Sequence, residues 1–187
     1  MRLLAGIIIK GGVMEVILDI ETTGLEPLRD KIIVIGVMDV ESGEIEIIDC
    51  SDNEEMGLRA FWGCVESRNI DKLYGFNIDF DWTFIKLRSL KYRIKMKYFK
   101  RYENRIDLRQ ILNSNRFAKG TLKDYAEFLG LYINDDCCGH TVPELYELYK
   151  LGNEKALEDI IRHLKRDLER TKYIYDILVE CGLLDIE

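Results

Sequence analysis

The chain has 187 residues, 47% apolar and 33% charged, and its 27 basic and 34 acidic side chains leave a formal net charge of -7. That length supports one compact domain with a real core, and the composition excludes a disordered or fibrous chain. No apolar run approaches the length of a membrane span, so a bilayer partner is not expected.

Residues 3–9, behind Arg2, are apolar but lack a small-residue cleavage site and lead directly into an acidic strand. Export is therefore rejected and a cytoplasmic location expected. Residues 1–12 are read as an extra strand or a leader on a single domain of residues 1–187, with Met14 as an alternative start.

The first clear strand covers residues 15–20, an aliphatic and β-branched run with Gly11 and Gly12 before it. It ends in the string Asp19-Ile20-Glu21-Thr22-Thr23-Gly24-Leu25. Residues two apart on a strand share a face, so Asp19 and Glu21 project together. Two adjacent carboxylates at the end of an apolar strand repel each other, and a divalent cation between them is the natural remedy. A solvated strand end before a Thr-Thr-Gly turn is the plainer alternative for the D-x-E triplet alone.

Strands follow at residues 31–40 and 44–49 around a Glu41-Ser42-Gly43 turn, then a helix over 53–67 and a short strand over 72–76. Gly75-Phe76-Asn77-Ile78-Asp79-Phe80-Asp81 opens the next helix, over 80–90, which Asn77 or Asp79 is expected to cap. Asp81 falls in its first turn, a carboxylate among apolar neighbours that capping leaves unexplained.

Between Lys86 and Arg105 stand nine basic residues and one acid, Glu103, so the rest of the chain carries about -15. Tyr92, Tyr98, Phe99 and Tyr102 are interleaved with these cations, as single-stranded nucleic acid would require. An amphipathic edge strand, with Arg93, Lys95 and Lys97 alternating against Ile94, Met96 and Tyr98, accounts for the pattern equally well.

Helices are predicted over 108–113, 122–129, 142–150 and 154–181, with Thr121 and Asp124 set as a capping box for the second of these. In the last, His163 and Asp167 are four apart and share a face with Thr171, beside a stripe running from Leu157 to Leu178. A meander of strands followed by helices around further strands predicts a mixed α/β sheet flanked by helices. Five cysteines form no framework pattern, and the adjacent Cys137 and Cys138 lack the spacing of a zinc site.

These elements, taken in order, resemble motifs I, II and III of the DEDD 3′–5′ exonucleases of the ribonuclease H-like superfamily. D-x-E-T-T-G-L at Asp19 is motif I, N-x-x-F-D at Asn77 is motif II, and the D-x-x-x-T helix at Asp167 is motif III. The subgroup most resembled is the exonuclease domain of family B DNA polymerases and its stand-alone relatives. The segments Arg105-Ile106-Asp107-Leu108 and 121–130 also resemble that group, and the likeness runs over residues 15–178.

The resemblance implies a five-stranded mixed sheet with helices on both faces. It implies two divalent ions, Mg²⁺ or Mn²⁺, held by Asp19, Glu21, Asp81 and Asp167, with hydrolysis proceeding from the 3′ end of single-stranded DNA. Thr22, Thr23 and Leu25 would hold the terminal nucleotide, and Phe76 or Asn77 would line the same cleft. His163 departs from the pattern: it is a histidine at the spacing that the tyrosine subgroup uses, so it either orients the attacking water or takes its proton. RNA or a structured substrate, a non-catalytic nucleic-acid-binding module, and a replication or repair partner remain the alternatives.

Overall fold

A computed structural model describes residues 13–115, 119–134 and 141–184. The element order is β1 (Met14–Thr22), β2 (Ile32–Asp39), β3 (Ile45–Asp49), α1 (Glu54–Ser67), β4 (Ile70–Gly75), α2 (Asp79–Lys91), β5 (Arg105–Asp107), α3 (Leu108–Leu112), α4 (Leu122–Phe128), α5 (Val142–Lys150) and α6 (Glu154–Glu180). The strands form one sheet in the order β3-β2-β1-β4-β5, the first three antiparallel and β1, β4 and β5 parallel. The mixed five-stranded α/β sheet is therefore as expected. Residues 1–12, Cys137 and Cys138 lie outside the described residues.

The two faces of β1 separate the core into layers. Val16, Leu18 and Ile20 face one cluster with Leu58, Phe61 and Trp62 of α1 and Phe84 and Ile85 of α2. Ile17 faces the other, with Leu164, Leu168, Ile174 and Leu178 of α6. Burying each such side chain stabilises the fold by roughly 1.5–3 kcal/mol before conformational entropy is counted. Asp19 and Glu21 continue the Ile17 face and so emerge beneath α6.

Two glycines shape that end of the sheet. Gly36 of β2 is the register partner of Asp19, and a Cβ there would lie 2.7 Å from Leu168 Cδ1 and 3.1 Å from Leu164 Cδ2. Its bare backbone lets α6 settle close to β1. At Gly75, where β4 ends, a Cβ would lie 3.0 Å from the Leu18 carbonyl oxygen and from Ile78. The β1–β4 ladder stops at Ile17 and Tyr74.

Two local expectations are corrected and a third holds. The N-cap of α2 is Ile78, with no side-chain cap, because Asp79 instead pairs with Arg101 at 2.7 Å and Arg105 at 3.1 Å. No strand forms over 93–98: the chain there is irregular, and the edge strand is the three-residue β5 further on. The capping box at Thr121 and Asp124, by contrast, has both of its hydrogen bonds.

Candidate active site

Three elements bring four carboxylates to the open end of the sheet. Asp19 and Glu21 come from the C-terminal part of β1, Asp81 from the first turn of α2, and Asp167 from the middle of α6. Because β4 has left the ladder, the Ile20 N–H is free to donate to Asp81 Oδ1 at 3.1 Å, which ties motif II to motif I across 61 residues. On α6 the i, i+4 spacing puts His163 and Asp167 on the same side. His163 Nε2 lies 3.9 Å from both Glu21 Oε1 and Asp167 Oδ2.

The electrostatics follow from that crowding. Burial first, then the charges of Asp81, Glu21 and Asp167, hold the Asp19 carboxyl well above the usual carboxylate range. Glu21 is raised for the same reasons, burial leading and Asp167 and Asp81 following. Burial pushes Asp81 up to about 8, against opposing backbone hydrogen bonds, and Asp107 adds to the rise. Such a cluster is stable in its charged form only with added positive charge. Carboxylate oxygens suit a divalent cation, and the Glu21, His163 and Asp167 donor atoms lie within 4.8 Å of one another.

Two residues that the motifs did not single out support the cluster. Arg170, buried one turn beyond Asp167, donates to its Oδ1 at 2.7 Å and leaves Oδ2 directed at His163. Its spacing of three from Asp167 was the available signal. Asp107 caps α3 through the Arg109 N–H and accepts the Asn77 N–H at 2.8 Å, fixing the loop that delivers Asp81. Burial raises its carboxyl as well.

The remaining expected residues are arranged differently. The Thr22 hydroxyl donates to the Gly24 carbonyl at 2.6 Å, and the Thr23 hydroxyl accepts the Lys31 N–H at 3.1 Å. Both hydroxyls thus shape the turn after β1. Leu25 at its tip is 80% exposed. Phe76 is half-buried, its ring 5.5 Å from that of Tyr125, and Asn77 is exposed with a positive φ of 63°.

Part of the basic stretch is paired within the fold, two of its arginines in the interior. Arg88 is buried on Glu54 and Arg105 on Asp79, while Lys97, Lys100 and Arg101 pair with Asp71, Glu103 and Asp79. Arg93 and Lys95 are exposed. A positive track continuous in sequence is therefore interrupted in space. Among the described residues no helix is long and apolar enough to cross a membrane.

A family model described as the RNase_H superfamily matches residues 16–179. The chain belongs to the ribonuclease H superfamily. Members of this superfamily are generally hydrolytic nucleases, and they typically use divalent metals. An uncharacterized protein of Methanocaldococcus jannaschii is 50% identical over 174 residues, covering 90% of this chain and 97% of that protein. Among solved structures, the family B DNA polymerase of the hyperthermophilic archaeon Pyrobaculum calidifontis aligns with a TM-score of 0.73 at 19% identity. That match covers 90% of this ribonuclease H-like chain and 25% of the polymerase, so the chain spans about a quarter of the polymerase's length.

Proposed function

We propose that this ribonuclease H-like protein is a DEDD-type exonuclease that hydrolyses phosphodiester bonds from the 3′ end of single-stranded DNA. The observation that carries the reading is the meeting of Asp19, Glu21, Asp81 and Asp167 at one end of the sheet, three of them with raised carboxyl pKa values. Asp81 and Asp167 have the Ile20 N–H and Arg170 as partners, yet the carboxylates still face one another. The fold shared with a family B DNA polymerase is consistent with the reading, and the motif order supports it.

Asp19, Glu21, Asp81 and Asp167 would hold two Mg²⁺ or Mn²⁺ ions. When bound, these ions neutralise the charge that develops on the attacking, nonbridging and leaving oxygens and lower the pKa of the water. The protein's own part is positioning. Arg170 fixes the Asp167 rotamer, the Ile20 N–H holds Asp81 toward β1, and His163 stands beside the place where water would attack. Leu25, exposed at the tip of the turn after β1, would wedge against the terminal base.

The test is digestion of a 5′-labelled single-stranded DNA oligonucleotide, and of an RNA of the same sequence, with Mn²⁺, Mg²⁺ or chelator. A metal-dependent ladder shortening from the 3′ end is expected, with DNA cut faster than RNA. Binding without any cleavage would favour a non-catalytic module of the same fold, and faster cleavage of RNA would reassign the sugar.

A further inference from the structure

The histidine of this cluster does more than stand near the carboxylates. Its Nε2 is 3.9 Å from Glu21 Oε1 and 3.9 Å from Asp167 Oδ2, too far for a direct hydrogen bond to either. Its Nδ1 is buried and has no hydrogen-bond partner. A histidine acting as base or as ligand is commonly aimed by an acceptor behind the ring; His163 has none among the described residues, so the choice between the two roles rests on Nε2. What its geometry does offer is a common focus. With two sides of 3.9 Å and the third no longer than 4.8 Å, a point equidistant from the three donor atoms is at most about 2.5 Å from each, against roughly 2.0–2.6 Å for divalent cations bound to imidazole and carboxylate.

The supports of that triangle are already in place. Arg170 holds Asp167 Oδ1 at 2.7 Å, so Oδ2 is the oxygen left for a ligand. His163 and Asp167 stand at i and i+4 of α6, the spacing by which one helix presents two donors to one ion. Glu21 closes the triangle from the strand beneath, where Gly36 lets α6 approach.

We propose that His163 is itself a metal ligand, its Nε2 sharing a divalent cation with Glu21 and Asp167, and that this nitrogen gives the site a preference for Mn²⁺ over Mg²⁺. The inference rests on the carboxylate cluster being a cation site, as proposed above, and replaces a role toward water with a bond to the ion. The chemical consequence is selectivity: Mg²⁺ keeps to oxygen ligands and its own waters, whereas first-row transition ions accept imidazole readily. An all-carboxylate site would show no such bias from its ligands.

The chain contains two histidines, His140 and His163, which makes the question separable. The full chain carrying His140→Gln is grown with ¹⁵N-labelled histidine, loaded with Mn²⁺, and studied by pulsed electron paramagnetic resonance. A ¹⁵N hyperfine coupling to manganese is expected, and it should vanish when His163→Gln is added. In calorimetric titrations His163→Gln should weaken Mn²⁺ binding about tenfold and leave Mg²⁺ within about threefold. Mn²⁺ that binds without ¹⁵N coupling, and with equal affinity in His163→Gln, would overturn the histidine ligand while leaving the carboxylate site standing. Failure of wild type to bind Mn²⁺ any better than Asp19→Asn would remove the cation site, and this inference with it.

Discussion

Glu54 and the cluster of Asp19, Glu21 and Asp81 are treated oppositely in this fold. Glu54, at the start of α1, is 5% exposed and fully provided for. It accepts the Ile32 N–H at 2.8 Å, Arg88 Nε and Nη2 at 2.9 and 2.6 Å, and the Tyr92 hydroxyl at 2.8 Å. At the other group Asp19, Glu21 and Asp81 are raised by burial and by each other or their acidic neighbours. One carboxylate is matched by a bidentate guanidinium and joins strand, helix and helix. The others are left in conflict at an open cleft. Within one sheet, satisfied charge marks structure and unsatisfied charge marks the place where a ligand is awaited.

The largest effect that would break this contrast concerns activity. Asp19→Asn keeps shape and removes charge from the middle of the cluster, and should lower metal-dependent cleavage by at least about 10³-fold. Circular dichroism and thermal unfolding should show the fold retained. A variant that cut DNA at near wild-type rate would dissolve the assignment of this cluster. At the structural site the expected loss is in stability. Arg88→Ala leaves Glu54 buried and unpaired, and should cost about 3–5 kcal/mol in urea unfolding. An unchanged midpoint would show that water replaces the guanidinium and that the site is less closed than its geometry indicates.

Much of this was legible in the residues. The aliphatic, β-branched run of β1 and the spacing within α6 identified both elements, and Asp19, Glu21, Asp81 and Asp167 do converge. What could not be read was pairing across the chain. Arg88 and Arg105 looked like part of a nucleic-acid track because their partners, Glu54 and Asp79, lie 34 and 26 residues away. Strand β5 was missed because three residues show no periodicity, and with it Asp107, which holds the Asn77 loop. The turn bonds of the Thr22 and Thr23 hydroxyls could not be read either, since they depend on how the chain folds back after β1.

The contrast sharpens with pH. A carboxyl raised in the folded state is neutral alike in folded and unfolded chains below its unfolded pKa near 4. As pH rises from there the unfolded chain ionises first, so the metal-free fold loses stability until the raised group, Asp81 at about 8, ionises as well. A divalent cation cancels that penalty. The melting temperature gained on adding Mn²⁺ in place of chelator should therefore be larger at pH 8 than at pH 5. Asp81→Asn keeps the acceptor for the Ile20 N–H and removes the charge, so at pH 8 it should stabilise the metal-free protein by roughly 1–3 kcal/mol. An equal gain at both pH values, or a destabilised Asn variant, would mean that the carboxylates are already relieved without metal.

The smallest effect tests how the sheet places its helix. Gly36 is the residue opposite Asp19, and a methyl there meets the tips of Leu168 and Leu164. Both are flexible side-chain ends, so Gly36→Ala should be accommodated at about 1–2 kcal/mol by a slight lift of α6. The lift would leave Glu54 and Arg88 untouched, since they lie on the other face with α1 and α2. It would draw His163 and Asp167 away from Glu21, and because a displacement well under 1 Å in a catalytic cluster is felt, cleavage should fall about three- to tenfold. Loss of stability without loss of activity would show that α6 yields by bending away from the cluster, and that the approach at Gly36 serves packing alone.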